Sequence, residues 1–216
     1  MIKLVIFDWD GTLFDSINTI CSCMLLAGKL AGANEKTAAQ VQNIIGLGLH
    51  EAVEVVWGEA SLSMRDAIVA HYKAEFMKGA HIPPEPYEGV LSVLDSLKAA
   101  GYVLAVATGK SRRGLNRALE TTATGGYFSA TRCADETLSK PDPLMLNELL
   151  AELNIKAEEA LMIGDTEYDL AMAANAGMRS IGVSYGAHEA HRLLAHNPIK
   201  VIDHFPELLA ILQESI

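Results

Sequence analysis

Two carboxylates stand two positions apart near the start of the chain, Asp8 and Asp10, directly after the apolar run Leu4–Phe7. The unbroken apolar run indicates a strand buried on both faces, as in a parallel sheet. Because side chains alternate along a strand, both carboxylates lie on one side if the strand geometry persists. Such a pair requires a bound hard cation, or two pKa values split between an acid and a nucleophile. A strand followed by a plain Asp-Gly-Thr turn is the alternative, and these residues alone do not exclude it.

A hydroxyl group and a glycine follow a second apolar run. The run at residues 103–107 predicts a buried strand, and Thr108 and Gly109 come directly after it. A hydroxyl, an open glycine backbone and the N-terminus of the next helix together form an anion site, to which Lys110 adds positive charge. An ordinary strand-to-helix turn with Ser111 as N-cap explains the same residues.

A lysine and two more carboxylates interrupt the apolar pattern further along. Lys140 lies in a proline-rich loop whose rigid residues fix the direction of its side chain, although loop lysines are commonly just solvated. Asp165 follows an apolar run at residues 160–163. Thr166 and Asp169 have the spacing of a capping box, which explains this pair without a ligand but leaves Asp165 unexplained.

The elements that must position these residues alternate between strands and helices in the second part of the chain. Such alternation implies right-handed crossovers and a mainly parallel sheet with helices on both faces. Ligands of such sheets bind beyond the carboxyl ends of the strands, where the polar residues stand. The predicted strands cover residues 4–7, 102–107, 129–133, 160–163, 180–183 and 199–202.

A helical block separates the first strand from this regular part. Residues 17–31 and 35–79 show helical spacing, with a flexible break at Gly46-Leu47-Gly48. Phe14-Asp15-Ser16 offers an N-cap for the first helix, and Asp142 with Pro143 predicts the start of a later one. The run at residues 83–86, Pro-Pro-Glu-Pro, predicts a stiff, non-helical linker at the end of the block.

Composition argues against several classes of partner. The net charge of −10 disfavours a nucleic-acid backbone or an anionic membrane surface, and half of the residues are apolar, enough for a large core. No apolar run approaches the ~18 residues of a membrane span. Three cysteines without a disulfide framework, and no evident signal peptide, indicate a reduced, cytoplasmic setting.

Taken together, these positions supply carboxylates for a cation, an anion pocket and one cationic side chain at the strand ends of one sheet. This is the equipment for phosphoryl transfer, in which a carboxylate nucleophile forms an aspartyl phosphate and divides hydrolysis into two easier steps. Oxygen ligands suit Mg²⁺ better than zinc as the cation.

The chain resembles the phosphatases of the haloacid dehalogenase superfamily. Residues 8–16, Asp-Trp-Asp-Gly-Thr-Leu-Phe-Asp-Ser, match the first motif of that superfamily, Thr108 the second, Lys140 the third, and Asp165 with Asp169 the fourth. The helical block resembles the cap of the subgroup that contains phosphoglycolate phosphatase and β-phosphoglucomutase.

The resemblance implies an α/β fold, with a three-layer Rossmann-like core, a mainly parallel sheet and an inserted all-helical cap. The core domain is expected to comprise residues 1–15 and 84–216, and the cap domain residues 16–83. Cap residues facing the core are expected to choose the leaving group. The loop at residues 46–50 is the candidate, and a plain helix-to-helix connection is the alternative.

The resemblance also implies a role for each acidic residue. Asp8 attacks phosphorus, while Asp10 protonates the leaving oxygen and later deprotonates the hydrolytic water. Asp8, Asp165 and the backbone carbonyl of Asp10 hold Mg²⁺. Asp169 supports the waters of the metal or orients Lys140.

The same resemblance assigns the phosphate-binding groups. Thr108 and the backbone of Gly109 hold phosphate oxygens, and Lys140 neutralises charge on Asp8 and on the phosphate. Lys110, with the two arginines that follow Ser111, adds positive charge that could contact a second anionic group of the substrate or simply face solvent.

The expected function is Mg²⁺-dependent hydrolysis of a small phosphorylated metabolite, with a sugar phosphomutase as the alternative because such enzymes also use both aspartates. Dehalogenases lack an acid at the position of Asp10.

A phospho-accepting receiver module is disfavoured, because it is about half as long and takes its acidic pair and its phosphorylated aspartate from different strands. A P-loop kinase requires glycine where Leu104 stands, and a His-Glu-x-x-His zinc site requires histidine where Arg192 stands. A catalytically inactive binding protein does not explain the complete residue set. The choice between monomer and homodimer stays open.

Overall fold

The computed structural model describes residues 1–79 and 84–214. Within these ranges the strands are β1 (Leu4–Phe7), β2 (Phe14–Asp15), β3 (Glu85–Pro86), β4 (Val103–Thr108), β5 (Ala130–Cys133), β6 (Ala160–Gly164), β7 (Arg179–Val183) and β8 (Lys200–Ile202). Six of them form a sheet with the order β5-β4-β1-β6-β7-β8, in which each neighbouring pair is parallel. The helices are α1 (Ile17–Leu30), α2 (Ala38–Gln42), α3 (Leu49–Val56), α4 (Leu62–Gly79), α5 (Val90–Ala99), α6 (Arg112–Thr121), α7 (Leu144–Leu153), α8 (Glu167–Asn175), α9 (Ala190–Leu194) and α10 (Glu207–Glu214).

Strand β1 shows why the sheet is covered on both faces. Val5 and Phe7 point into an apolar cluster with side chains of α5, α6 and α10, whereas Leu4 and Ile6 point into a second cluster with α7 and α8. Alternate side chains of one fully buried strand therefore serve two cores, which explains its unbroken apolar sequence. The predicted α/β fold with a three-layer Rossmann-like core is confirmed.

Residues 17–79, the described part of the chain between β2 and β3, contain the four helices α1 to α4, with a separate apolar core around Met24, Val53, Trp57 and Ile68. The indole N–H of Trp57 donates to the carbonyl of Asn34 at 2.9 Å, so its polar atom is satisfied inside this core. The predicted all-helical insertion is confirmed. The division into a core of residues 1–15 and 84–216 and a cap of residues 16–83 stays a prediction.

The helix cap predicted at residues 14–16 was wrong in part, whereas the described part of the linker, residues 84–86, is non-helical as predicted. Phe14–Asp15 is not part of a helix cap but forms β2, which pairs antiparallel with Glu85–Pro86 of the expected linker. Ser16 stands at the N-cap position of α1 without a side-chain capping bond, because its hydroxyl is used elsewhere. The chain thus leaves and re-enters the sheet region through two adjacent short strands. Pro83 of the expected linker lies outside the described residues.

The start of α7 also differs from the prediction. The helix begins at Leu144, so Pro143 occupies the N-cap position instead of the first helical position. Asp142 still accepts a hydrogen bond from the backbone N–H of Leu144 at 2.9 Å. No helix among the described residues is long and apolar enough to cross a membrane.

Candidate active site

Three neighbouring strands bring the predicted residues together at one edge of the sheet. Thr108 is the last residue of β4, Asp8 follows β1 directly, and Asp165 follows β6 directly. Because β4, β1 and β6 are adjacent and parallel, their carboxyl ends meet. These residues are far apart in the sequence but lie close together in the fold.

Lys140 lies between two carboxylates at the bottom of this site. Its Nζ donates to Asp8 Oδ1 at 2.7 Å and to Asp169 Oδ1 at 2.6 Å, and all three side chains are buried. Asp169 Oδ2 accepts from the backbone N–H and the hydroxyl of Thr166, at 3.1 and 2.6 Å. The capping box was predicted correctly, but it also fixes Asp169 as a partner for Lys140. The structure brings this aspartate to Lys140, as the second of its two expected roles requires.

Asp165 is held by donors from two loops. Thr12 Oγ1 donates to Asp165 Oδ1 at 2.8 Å, and the backbone N–H of Ala187 donates to Oδ2 at 2.7 Å. The backbone at Gly11 and at Gly186 passes so close to Asp165 that neither position has room for a side chain. A Cβ at Gly11 would lie 2.2 Å from Asp165 Oδ2, and one at Gly186 would lie 2.1 Å from Asp165 Cβ.

The buried charges suit a divalent cation. Carboxylate oxygens of Asp8, Asp165 and Asp169 lie within 4.8 Å of one another. Among the described residues, Lys140 is the cation that contacts these carboxylates, so negative charge remains in excess. Asp8 Oδ2 is buried and has no hydrogen-bond partner within residues 1–79 and 84–214. A buried set of carboxylate oxygens with excess negative charge fits Mg²⁺.

The electrostatics of these buried groups reflect this excess. Burial, partly offset by Lys140, raises the pKa of Asp8 to about 7. Burial together with the charges of Asp8 and Asp169 raises the pKa of Asp165 well above its ordinary range. Burial lowers the pKa of Lys140, but the charges of Asp169 and Asp8 outweigh it and the pKa ends above its ordinary value. A bound cation would favour the ionised carboxylates.

Asp10 is engaged by two side chains at the outer part of the site. Lys110 Nζ lies 2.8 Å from each carboxylate oxygen, and Ser16 Oγ donates to Oδ1 at 2.5 Å. Lys110 therefore contacts Asp10 here, and its expected contact with a phosphate stays a prediction. The guanidinium of Arg112 is engaged by Glu136, with two bonds of 2.8 and 2.7 Å.

The predicted phosphate loop is buried beneath the helical block. Thr108 is 1 % exposed, and its hydroxyl accepts from the backbone N–H of Lys110 at 3.2 Å. A Cβ at Gly109 would lie 2.6 Å from the carbonyl oxygens of both Gly46 and Leu47. Glycine is needed at position 109 because the loop of the helical block comes so close. The predicted N-cap at the start of α6 is also present.

Further contacts hold the helical block against the sheet domain. The backbone N–H of Gly48 donates to Ser139 Oγ at 2.8 Å, which places the loop at residues 46–50 next to the Lys140 segment. Asn43 accepts three bonds: its carbonyl from the Tyr168 hydroxyl at 3.0 Å and the His188 ring at 3.1 Å, and its side chain from Arg192 at 2.6 Å. The block therefore covers the carboxyl edge of the sheet.

Sequence reasoning missed four contributors to this site. Thr12 and Gly186 shape the surroundings of Asp165, Ser16 bonds Asp10, and the Tyr185 hydroxyl donates to the Thr12 carbonyl at 2.9 Å. Thr12 and Ser16 stand inside the motif at residues 8–16, but no role was predicted for Thr12, and Ser16 was predicted only as part of a helix cap. A glycine shortly after a predicted strand was the available signal for Gly186, since the site lies at strand ends.

Comparison with known proteins agrees with this geometry. The family model described as haloacid dehalogenase-like hydrolase matches residues 5–183. The chain belongs to this family. The description of the family is that of hydrolases, and phosphoglycolate phosphatases are among the relatives that are 30 % identical to this chain.

Relatives of this haloacid dehalogenase-like hydrolase align over nearly the whole chain. The probable phosphatase IndB of Dickeya dadantii is 35 % identical, over 97 % of this chain and 93 % of its own. The phosphoglycolate phosphatase of Vibrio parahaemolyticus is 30 % identical, over 99 % and 97 %. The crystal structure of a predicted phosphatase from Clostridium acetobutylicum superposes with a TM-score of 0.88 at 26 % identity, covering 99 % of each chain.

Proposed function

We propose that this hydrolase is a Mg²⁺-dependent phosphatase that cleaves a small phosphate monoester through an aspartyl phosphate on Asp8. One observation carries the proposal. Asp8 has one oxygen fixed by Lys140 and a second oxygen that is buried and unbonded within the described residues. A carboxylate oriented in this way presents one oxygen to an electrophile. The phosphatase relatives support the same class of reaction.

In the first step, Asp8 Oδ2 would form a bond to phosphorus while the bond from phosphorus to the ester oxygen breaks. Asp10 would give its proton to that oxygen, and the leaving group would depart as an alcohol. Thr108 and the backbone N–H groups that follow it would hold the phosphate oxygens. Lys140 would stabilise the charge on Asp8 and on the transferred group.

In the second step, Asp10 would accept a proton from water as that water attacks phosphorus. The bond between Asp8 and phosphorus breaks, which releases inorganic phosphate and restores the carboxylate of Asp8. Asp8, Asp165 and the backbone carbonyl of Asp10 would hold Mg²⁺, which when bound supplies positive charge for the nucleophile and the phosphate. Asp169 would keep Lys140 in place through the 2.6 Å contact.

A sugar phosphomutase of the same family is the second candidate, because it would use Asp8 and Asp10 in the same way. The close approach of the residue 46–47 carbonyls to Gly109 is compatible with both, since closure over the site excludes water in either reaction. A phospho-accepting signalling module is a distant third, and the covering helical block gives it no support.

A substrate screen tests the proposal. The purified protein is assayed against phosphorylated sugars, phosphoglycolate, nucleotides and pyrophosphate, with Mg²⁺ and with chelator. We expect Mg²⁺-dependent release of inorganic phosphate, and Asp8→Asn should remove it while circular dichroism shows an intact fold. Interconversion of sugar phosphates that outruns phosphate release would identify a mutase. Near-normal turnover by the Asp8→Asn variant would contradict the covalent mechanism.

A further inference from the structure

Lys110 covers the carboxylate that we propose as the general acid. Its Nζ lies 2.8 Å from Asp10 Oδ1 and 2.8 Å from Oδ2, and Ser16 Oγ donates to Oδ1 as well. Both side chains are 11 % exposed, so water competes little for this ion pair. Each oxygen of Asp10 is therefore already bonded to the protein. The pair has to open before Asp10 can approach the ester oxygen of a substrate.

The surroundings of Lys110 contain an aromatic wall. Its Nζ lies 5.2 Å from the ring centroid of Phe76, on helix α4 of the helical block, and Phe76 stacks against Tyr72 at 5.6 Å. In the described part of the chain, Asp10 is the one carboxylate that Lys110 contacts. No second carboxylate of the described residues lies within ion-pair distance of Lys110 here, so a substrate anion can take the place of Asp10.

The backbone of Lys110 is fixed, so a change of partner has to come from its side chain. Its N–H donates to Thr108 Oγ1 at 3.2 Å, and its carbonyl accepts from the N–H of Ala134 at 3.1 Å. Asp10 must contact the ester oxygen, and Lys110 starts in contact with Asp10. An anion that attracts Lys110 must therefore lie close to the ester oxygen.

We propose that Lys110 selects substrates whose leaving group carries an anionic oxygen of its own. This oxygen lies about two or three bonds from the ester oxygen, where Lys110 can form a hydrogen bond with it. Phosphorylated 2-hydroxy acids and pyrophosphate have this chemistry. Their anion takes Lys110 from Asp10, which frees Asp10 to act on the ester oxygen. Lys110 is a specificity-determining residue in this account, and the inference rests on the proposed function.

Two esters of equal carbon count separate this role from simple phosphate binding. Phosphoglycolate carries a carboxylate beside the ester, and ethyl phosphate carries a methyl group at the same place. The kcat and KM for each are measured by phosphate release, for the wild type, Lys110→Met and Lys110→Arg. Lys73→Met, on the exposed face of α4, is the control for loss of one positive charge. Pyrophosphate is a third substrate, which distinguishes a carboxylate from a phosphate as the favoured anion.

The wild type and Lys73→Met should prefer phosphoglycolate or pyrophosphate to ethyl phosphate. Lys110→Met should lower kcat/KM for the anionic substrates about 10- to 100-fold, as expected for the loss of one charge-assisted hydrogen bond. For ethyl phosphate the loss should be much smaller, because that leaving group carries no anion for Lys110 to bind. Lys110→Arg should keep most of the preference. An equal loss for all substrates, or an undiminished preference in Lys110→Met, would overturn the proposal.

A binding measurement separates this inference from the proposed function. Calorimetry compares phosphoglycolate and ethyl phosphate binding to Asp8→Asn and to the double variant Asp8→Asn/Lys110→Met, with Mg²⁺ present. Selective weakening of phosphoglycolate binding in the double variant supports the role of Lys110 even if the wild type hydrolyses neither ester. Equal affinity for the two esters in Asp8→Asn would overturn it, whatever the turnover.

Discussion

Lys140 and Asp8 form an ion pair that water does not reach, with Lys140 Nζ 2.7 Å from Asp8 Oδ1. The two carboxylate oxygens of Asp8 therefore have different surroundings. Oδ1 is fixed, whereas Oδ2 has no partner among the residues that the structure describes. The contact thus orients the carboxylate and leaves one oxygen for the reaction.

Loss of Lys140 should destabilise the protein and remove activity. Lys140→Met leaves Asp8 and Asp169 buried without their cation, and breaking a buried pair in this way costs roughly 3–5 kcal/mol. Urea unfolding in the presence of chelator measures the free energy of unfolding. Lys156→Met, at an exposed lysine 3.9 Å from Glu158, is the control and should leave stability unchanged. Equal stability and activity of Lys140→Met and wild type would contradict the assigned role.

Mg²⁺ should be needed for activity and should stabilise the fold. Chelator is expected to abolish phosphate release, and Mg²⁺ at about 100 times its Kd should raise the free energy of unfolding by about 2.7 kcal/mol. Thermal unfolding with and without the ion measures this effect. Asp165→Asn should remove the stabilisation, whereas the same change at the exposed Asp66 should leave it intact. A Mg²⁺ effect that survives Asp165→Asn would place the ion elsewhere.

Gly186 should be required for the geometry of Asp165. Alanine at this position would put Cβ 2.1 Å from Asp165 Cβ, so the loop or the carboxylate must move. We expect Gly186→Ala to weaken Mg²⁺ binding by at least about tenfold, as found for changes that reorient metal ligands. Calorimetric titration with Mg²⁺ measures the affinity. Gly126→Ala is the matched control, since a Cβ there meets nothing within 4 Å. Unchanged Mg²⁺ affinity in Gly186→Ala would show that the loop does not position Asp165.

Without Mg²⁺, the titration of Asp8 should lower the stability of the fold as the pH rises. The pKa of Asp8 goes from 3.8 in its ordinary state to about 7 in the fold. Between these values the folded state binds more protons than the unfolded state, so the free energy of unfolding decreases with rising pH. Asp165, with its pKa shifted in the same direction, contributes with the same sign.

Urea unfolding at a series of pH values from 4 to 7.5 checks this sign. In chelator, Asp8→Asn should lose part of the decrease, because residue 8 no longer titrates. Saturating Mg²⁺ should flatten the profile of the wild type, since the ion favours the ionised carboxylates. The same pH dependence in Asp8→Asn and wild type, both in chelator, would show that Asp8 does not titrate as described.

The sequence predicted the parts of the site that stand at strand ends. Asp8, Thr108 and Asp165 each follow a buried apolar run, and parallel strands have to bring such residues to one edge. The helical insertion was equally visible, because its apolar residues recur with helical spacing. Local patterns determine these features, so a single sequence is enough to find them.

Such local patterns could not predict the contacts between residues that are far apart in the sequence. Lys110 and Asp10 are 100 positions apart, and nothing near either residue indicates a bidentate ion pair between them. Ser16 was assigned to a helix cap, because its local signal is the same whether its hydroxyl bonds the helix or Asp10. Gly186 matters only through its distance to Asp165, which tertiary structure alone fixes.

The most direct test of the central claim is chemical trapping of the intermediate on Asp8. The enzyme is mixed with Mg²⁺ and its best substrate from the screen, quenched in the steady state and reduced with borohydride, which converts an aspartyl phosphate to homoserine. Peptide mass spectrometry then locates the modified residue. We predict homoserine at position 8, only when substrate is present, and none at Asp10 or Asp165. Steady turnover with no modification at position 8, or with modification at another carboxylate, would contradict Asp8 as the nucleophile.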